Sequence, residues 1–139
     1  MKKVILSLIL AYSIQAIEGQ ALPDSIIRKY DAALSGMAKG QVLTNYITSL
    51  RGTPQEQLKL LFPLLTYFTN KGDATGIGYT QIFTGVQFVK MGDVNESLKH
   101  GISAFKIFDD LQDTFALLKT HTLIGNSYMG SGNLKESLN

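Results

Sequence analysis

A pattern of seven residues that returns at a fixed interval constrains the fold of this chain more than any other feature. It occurs at residues 92–98 (GDVNESL), at 132–138 (GNLKESL) and in a weaker form at 52–58 (GTPQEQL), so that successive copies start 40 residues apart. Each copy has Gly first, then Thr, Asp or Asn, with Glu fifth and Leu last. A fixed interval of this size with a turn inside it indicates stacked helix pairs.

Each copy also has the residues with which one helix ends and the next begins. Gly suits the left-handed conformation that closes a helix, and Thr53, Asp93 and Asn133 can accept hydrogen bonds from the free N–H groups of the following helix. A Glu follows three residues later, which is the spacing of a capping box. We therefore expect a helix boundary in every copy.

Apolar residues at helical spacing predict six helices and the start of a seventh. The first begins with Asp24 or Ser25 as its cap and ends between residues 36 and 40. The others are expected to start near residue 42 and to close at Gly52, to cover 54–72, 74–91 and 94–108, to run from a cap at Asp113 to residue 130, and to start again at residue 134. A Pro inside the third helix, Pro63, is expected to kink it.

Residues 1–21 have the layout of a bacterial secretory signal peptide: a short basic start, an apolar run that reaches Ile17, and small residues before a cleavage site after Ala21. Cleavage after Ala16 or Gln20 is also possible. A membrane anchor is the alternative, but the apolar run is shorter than the ~20 residues that a span needs. The sequence thus predicts a cleaved leader and a periplasmic protein, and the absence of Cys argues against a lipoprotein.

Composition excludes several classes of function. The 13 Lys and Arg are balanced by 11 Asp and Glu, and the basic residues are scattered, so no nucleic-acid interface is expected. Without Cys there can be no disulfide, thiol nucleophile or zinc–thiolate site. Asp109, Asp110 and Asp113 lack the Gly and closing Glu of a calcium loop, and neither His100 nor His121 is followed four residues later by a Glu or His with which it could form a metal pair, so we predict no metal and no cofactor.

The repeat resembles a tetratricopeptide repeat (TPR) array. The small and aromatic residues of that family's first helix, and the small residues of its second, are matched in the second half of the chain by Gly85 with Phe88, Gly125 with Tyr128, and Ser97, Ser137 and Ala104. Gly101 stands where the family usually has a large side chain, no Pro stands near Asp109, and the interval exceeds the usual ~34 residues. The match covers residues 73–139 well and 40–72 weakly.

The resemblance implies an all-α fold, a right-handed superhelical stack of antiparallel helix hairpins over residues 22–139, with repeats near 40–72, 73–111 and 112–139 and the last one truncated. In this family the first helices of successive repeats line a concave groove that binds a protein or peptide. The residues that the resemblance places in this groove are Tyr79, Ile82, Val86, Lys90, Lys119, Asn126 and Met129.

Together these features predict a non-catalytic, exported binding module. It is similar to the periplasmic segments of bacterial sensor histidine kinases and of regulators with a C-terminal DNA-binding helix-turn-helix, which would make it a sensing part whose signalling domains, and any membrane contact, lie beyond Asn139. The alternative is a free-standing periplasmic scaffold or assembly factor. A hydrolase is a distant third, because no Gly-x-Ser-x-Gly motif occurs.

Overall fold

The computed structural model of the chain describes residues 22–130, and this part contains six α-helices and no strand. The helices are α1 (Asp24–Ala32), α2 (Gly36–Ser49), α3 (Pro54–Lys71), α4 (Ala74–Met91), α5 (Val94–Asp110) and α6 (Thr114–Gly130). The prediction of an all-α fold is confirmed for the described part. The predicted leader and the third copy of the repeated pattern, at residues 132–138, lie outside it.

The predicted boundaries agree best from α3 onward, whereas the first two helices differ. α1 ends at Ala32, before the predicted end, and its N-cap is Pro23, so neither Asp24 nor Ser25 caps it. α2 begins six residues before Val42 because the hydroxyl of Ser35 accepts a hydrogen bond from the Ala38 N–H at 3.1 Å and caps the helix there. α3 continues through Pro63 to Lys71 as one helix.

The junctions between helices recur every 20 residues, which is half the predicted interval. The backbone has a positive φ at Gly52 (138°), Gly72 (64°), Gly92 (77°) and Gln112 (53°). The residue that follows is Thr or Asp in all four cases, and its side-chain oxygen accepts a hydrogen bond from the N–H three residues on; the four donors are Glu56 (3.2 Å), Gly76 (3.0 Å), Glu96 (3.1 Å) and Ala116 (3.0 Å). At Gly72, Gly92 and Gln112 a helix end and the next helix start are thus coded by adjacent residues. At the first junction α2 already ends at Ser49, with Leu50 as its C-cap, and not at the predicted Gly52.

The two described capping-box Glu residues behave differently. Glu56 accepts a hydrogen bond from the Thr53 N–H at 2.9 Å and completes the box. At the next copy the Asp93 N–H instead donates to the carbonyl of Phe88 at 2.9 Å, because Gly92 closes α4 with the bonds of a Schellman motif. The Glu96 carboxylate is therefore free to approach Lys99 at 3.6 Å, and the box predicted at this position is wrong.

Small residues set the distances between neighbouring helices. α4 contacts α2, α3, α5 and α6, and a Cβ added to its Gly78 would lie 2.5 Å from the Phe108 ring of α5. In the same way, a Cβ on Gly40 of α2 would lie 2.0 Å from the buried ring of Tyr79 in α4. Since interiors are close-packed, these aromatic rings can be buried only where the facing position has no side chain.

The pattern of buried and exposed positions repeats every 40 residues, as the sequence pattern does. Residues 61–70 of α3 and 101–110 of α5 have the same succession of buried, half-buried and exposed positions. The buried positions of α2 at 40, 43 and 47 return in α6 at 120, 123 and 127, and in α4 at 80 and 87 with a half-buried residue at 83. The buried positions of α2 therefore follow the 40-residue repeat as well, although the repeated sequence pattern is weak there.

Replacing Gln112 with Gly should stabilise the protein. Gln112 is the one residue other than Gly with a positive φ in the described range, and this conformation is unfavourable for a side chain with a Cβ. We expect Gln112→Gly to raise the free energy of unfolding by roughly 0.5–1 kcal/mol, after allowing for the greater entropy of Gly in the unfolded chain. Chemical denaturation measures this change in the free energy of unfolding.

The reverse change at the matching junction, Gly92→Gln, should destabilise the protein. If both variants change the free energy of unfolding in the same direction, the positive φ is not the cause.

Candidate partner-binding groove

A cavity of about 410 Å³ lies between α4 and α6. α4 contributes Ile82, Phe83 and Val86 to its lining, and α6 contributes a longer stripe that consists of Phe115, Leu118, Lys119, Thr122, Leu123 and Asn126. The two helices pack side by side, since a Cβ added to Gly85 of α4 would lie 2.7 Å from the Leu123 side chain. Their separation along the rest of the interface leaves the cavity open to solvent.

The apolar side chains of the cavity are unevenly buried. Ile82 is only 5% exposed and packs in the core, and Leu123 is 2% exposed. On the α6 side, by contrast, Phe115 is 39% exposed and Leu118 is 65% exposed. Large apolar side chains that are this exposed, next to a concave surface, are typical of sites that bind another molecule.

The polar side chains of the cavity can hydrogen-bond and attract an acidic group. The Lys119 ammonium nitrogen lies over the Phe115 ring, 5.2 Å from its centroid, which is a cation–π distance. The amide of the exposed Asn126 can both donate and accept hydrogen bonds. None of the residues that line the cavity is acidic, so Lys119 gives this surface a positive charge.

Four of the seven residues predicted for the groove line this cavity: Ile82, Val86, Lys119 and Asn126. Lys90 and Met129 lie near the C-terminal ends of α4 and α6, outside the lining. Both are exposed, and Met129 is exposed by 55%. Of the predicted residues, the cavity thus brings together four from the middle of the two helices and leaves out the two near their C-terminal ends.

Tyr79 belongs to the core and has no exposed surface, so its side chain is not available to a partner. Its ring centroid lies 5.1 Å from that of Phe108 and 6.4 Å from that of Phe83. Burial, and then the carboxylate of Asp113, raise the pKa of Tyr79 to about 12. The place in the groove that the resemblance gave to Tyr79 is therefore corrected, because α2 and α5 cover its side chain.

The predicted groove did not include four apolar residues that line the cavity: Phe83, Phe115, Leu118 and Leu123. The apolar members belong to the periodic pattern of their helices, which indicates core positions. Their exposure depends on the neighbours of α6, and no signal in the sequence of α6 alone could have separated Leu118, which is exposed, from Leu123, which is buried.

A second cavity, of about 430 Å³, lies where the first turns of α2, α4 and α6 approach one another. Its charged residue is Asp113, whose carboxylate is already bonded to the Ala116 N–H at 3.0 Å as the cap of α6. Thr75 and Thr114 contribute the other polar side chains of the helix starts. This cavity is explained by the caps that surround it.

The two imidazoles lie between helices. His100 of α5 stacks on Phe88 of α4, with ring centroids 5.4 Å apart and planes inclined by 8°, and its Nδ1 is hydrogen-bonded to the Gln81 side chain. The His100 side chain therefore packs between α5 and α4. His121 of α6 is exposed and contacts the edge of Phe105. No group of three or more potential metal ligands occurs within residues 22–130.

Comparison with known proteins gives no match among protein-family models, curated proteins or solved structures. None of the helices between residues 22 and 130 combines the length and apolarity that a membrane crossing requires.

The stability of the protein should fall at acidic pH through His100. Burial lowers the pKa of His100, although Glu96 opposes this effect, so the unfolded chain binds a proton at a higher pH than the folded one. The neutral imidazole of His100 contributes fully to stability at a pH above its ordinary pKa of 6.5. This contribution to stability is lost as the pH falls below that value. Denaturant unfolding between about pH 7.5 and pH 5.5 should show a smaller loss in the free energy of unfolding for His100→Gln than for the unsubstituted chain.

His121→Gln is the matched control, because His121 is exposed. It should leave the loss of stability with falling pH unchanged. If the two variants reduce that loss equally, the burial of His100 is not its cause.

Proposed function

We propose that this chain is a non-catalytic module of tetratricopeptide-like helical repeats that binds a protein or peptide in the cavity between α4 and α6. The proposal extends the all-α fold to a right-handed stack of antiparallel hairpins. Three features support it: junctions every 20 residues, the side-by-side contacts of α2, α4 and α6, and burial that repeats every 40 residues. In repeat proteins, alternate helices that pack in this way form an extended concave surface.

The single observation that carries the binding function is the pairing of an open apolar cavity with a cation at its edge. Phe115 and Leu118 offer exposed apolar surface, Lys119 offers a positive charge, and Asn126 can hydrogen-bond a peptide backbone. This combination suits a segment that has a large apolar side chain next to an acidic residue, because a carboxylate can form a charge-assisted hydrogen bond with the Lys ammonium.

We further propose that the module is exported and serves as the sensing part of a longer signalling protein. The support is the layout of residues 1–21, which lie outside the described residues, and the resemblance of the 40-residue repeat to exported sensor regions. A free-standing periplasmic scaffold is the alternative. Sequencing the gene beyond the codon for Asn139 separates the two, since an apolar span of ~20 residues after the repeats would indicate transmembrane signalling.

Peptide selection tests the binding function directly. A library of random peptides displayed on phage is selected against the chain that starts at Leu22, and the affinities of enriched peptides are measured by fluorescence anisotropy. We expect enriched peptides to combine a large apolar residue with Asp or Glu. Lys119→Glu should weaken their binding by about tenfold or more, because it replaces an attractive charge pair with a repulsive one.

Lys106→Glu is the matched control, since Lys106 is exposed on α5, away from the cavity, and the charge change is the same. A second variant, Thr122→Trp, fills the cavity without changing charge and should abolish binding. Circular dichroism of each variant separates loss of fold from loss of affinity. Peptides that bind all three variants equally would place the site elsewhere, and the absence of any enriched peptide would refute the peptide-binding function.

A further inference from the structure

Two pairs that each consist of an aromatic residue and a lysine have the same geometry on α3 and α6. In α3 the Lys71 ammonium nitrogen lies 5.2 Å from the centroid of the Tyr67 ring, and in α6 the Lys119 ammonium nitrogen lies 5.2 Å from that of Phe115. The lysine follows the aromatic residue by four positions in both helices, so the two side chains are neighbours on one helix face. The pairs are not separated by the 40-residue interval, so they share their chemistry and not a place in the repeat.

The pair on α3 is already bound by two adjacent residues of α1. The Asp31 carboxylate lies 3.6 Å from the Lys71 ammonium nitrogen. The residue before it, Tyr30, is only 1% exposed, and its ring centroid lies 5.2 Å from that of Phe68, which in turn lies 5.2 Å from that of Tyr67. An aromatic residue directly followed by an acidic one thus contacts the rings and the lysine of α3 at the same time.

The pair on α6 offers the same groups without such an occupant. Phe115 is exposed, and among residues 22–130 no carboxylate forms an ion pair with Lys119. The cavity is also lined by Phe83 of α4. An aromatic ring that enters the cavity would therefore meet other rings, as Tyr30 does at α3, and aromatic rings in contact attract one another beyond the effect of the area that they bury.

We propose that the segment bound between α4 and α6 presents an aromatic residue directly followed by Asp or Glu, as α1 presents Tyr30 and Asp31 to α3. This inference rests on the proposed peptide-binding function and narrows its ligand from any large apolar side chain to an aromatic one. The segment belongs to another protein, because a second copy of this chain has its own Tyr30 buried under α1 contacts and cannot present it. The acidic residue complements the positive charge of Lys119.

A fluorescent peptide that copies residues 22–33 (LPDSIIRKYDAA) tests the inference by anisotropy with the full chain. We expect it to bind. Tyr30→Leu in the peptide should weaken binding by about fivefold, because the attraction between rings is lost. Asp31→Asn in the peptide should weaken it by about threefold, since an ion pair at the edge of a cavity contributes modestly.

Two variants of the chain show where the peptide binds. Lys119→Glu should weaken binding by about tenfold or more, whereas Lys71→Glu, which makes the same charge change in the other pair, should leave it unchanged. Circular dichroism confirms that both variants are folded. If Lys71→Glu weakens binding and Lys119→Glu does not, the peptide replaces α1 on α3, and the inference is overturned.

The outcome also separates this inference from the proposed function. If peptides selected from the random library depend on Lys119 but carry Leu, Ile or Met in place of the aromatic residue, the inference is wrong and the peptide-binding function stands. If neither the selected peptides nor the copy of α1 bind, both are wrong. Sedimentation of the full chain at several concentrations covers the other occupant: a dimer that Lys119→Glu dissociates would show that a second copy fills the cavity, and this result overturns the inference.

Discussion

The junction between consecutive helices is the constraint on which the rest of the structure depends. A residue with positive φ ends one helix, and the hydroxyl or carboxylate of the next residue accepts an N–H of the following helix, at Gly72–Asp73, Gly92–Asp93 and Gln112–Asp113. Because two residues suffice, consecutive helices must reverse direction and lie against each other. The equal spacing of the junctions then gives these helices nearly equal lengths, so that each can cover its neighbour along its whole length.

Close approach of the helices follows from the pairing of a small residue on one helix with a large one on the next. Gly76 receives the ring of Phe68, and Gly78 receives the ring of Phe108, one interval of 40 residues later. Hydroxyl groups on the same buried faces are satisfied within the structure: Thr80 donates to the Gly76 carbonyl at 2.8 Å, and Ser97 donates to Ser127 across the α5–α6 interface at 2.9 Å. The core can therefore contain small hydroxyl residues at little cost where the hydroxyl has a partner, as it does at Thr80, Thr84, Ser97, Thr120 and Ser127. The hydroxyls of Thr44 and Tyr79, by contrast, are buried without a hydrogen bond.

The same repetition explains why the candidate site lies at α6. α4 contacts four helices, α2, α3, α5 and α6, whereas α6 contacts α2, α4 and α5 and keeps several large apolar side chains exposed. Equivalent positions thus have different roles: Tyr79 is completely buried, whereas Lys119, 40 residues later, lies at the edge of the cavity. A repeat supplies similar surfaces, and the number of neighbours decides which of them remain open to a partner.

The sequence by itself determined that the described chain is helical and where most helices end, because capping groups and left-handed residues act within four residues of one another. It was less successful at α1 and α2, where Ser35 caps a helix outside the repeated pattern. Only the tertiary structure decided which apolar residues lie at the surface. Tyr79 and Leu118 both belong to the apolar periodic pattern of their helices, and this pattern predicts burial for both. Tyr79 is covered because Gly40 lets α2 approach it, and Leu118 is exposed because no described helix packs over it. Exposure depends on contacts between residues distant in sequence, and for this reason local patterns fix the helices but not the site.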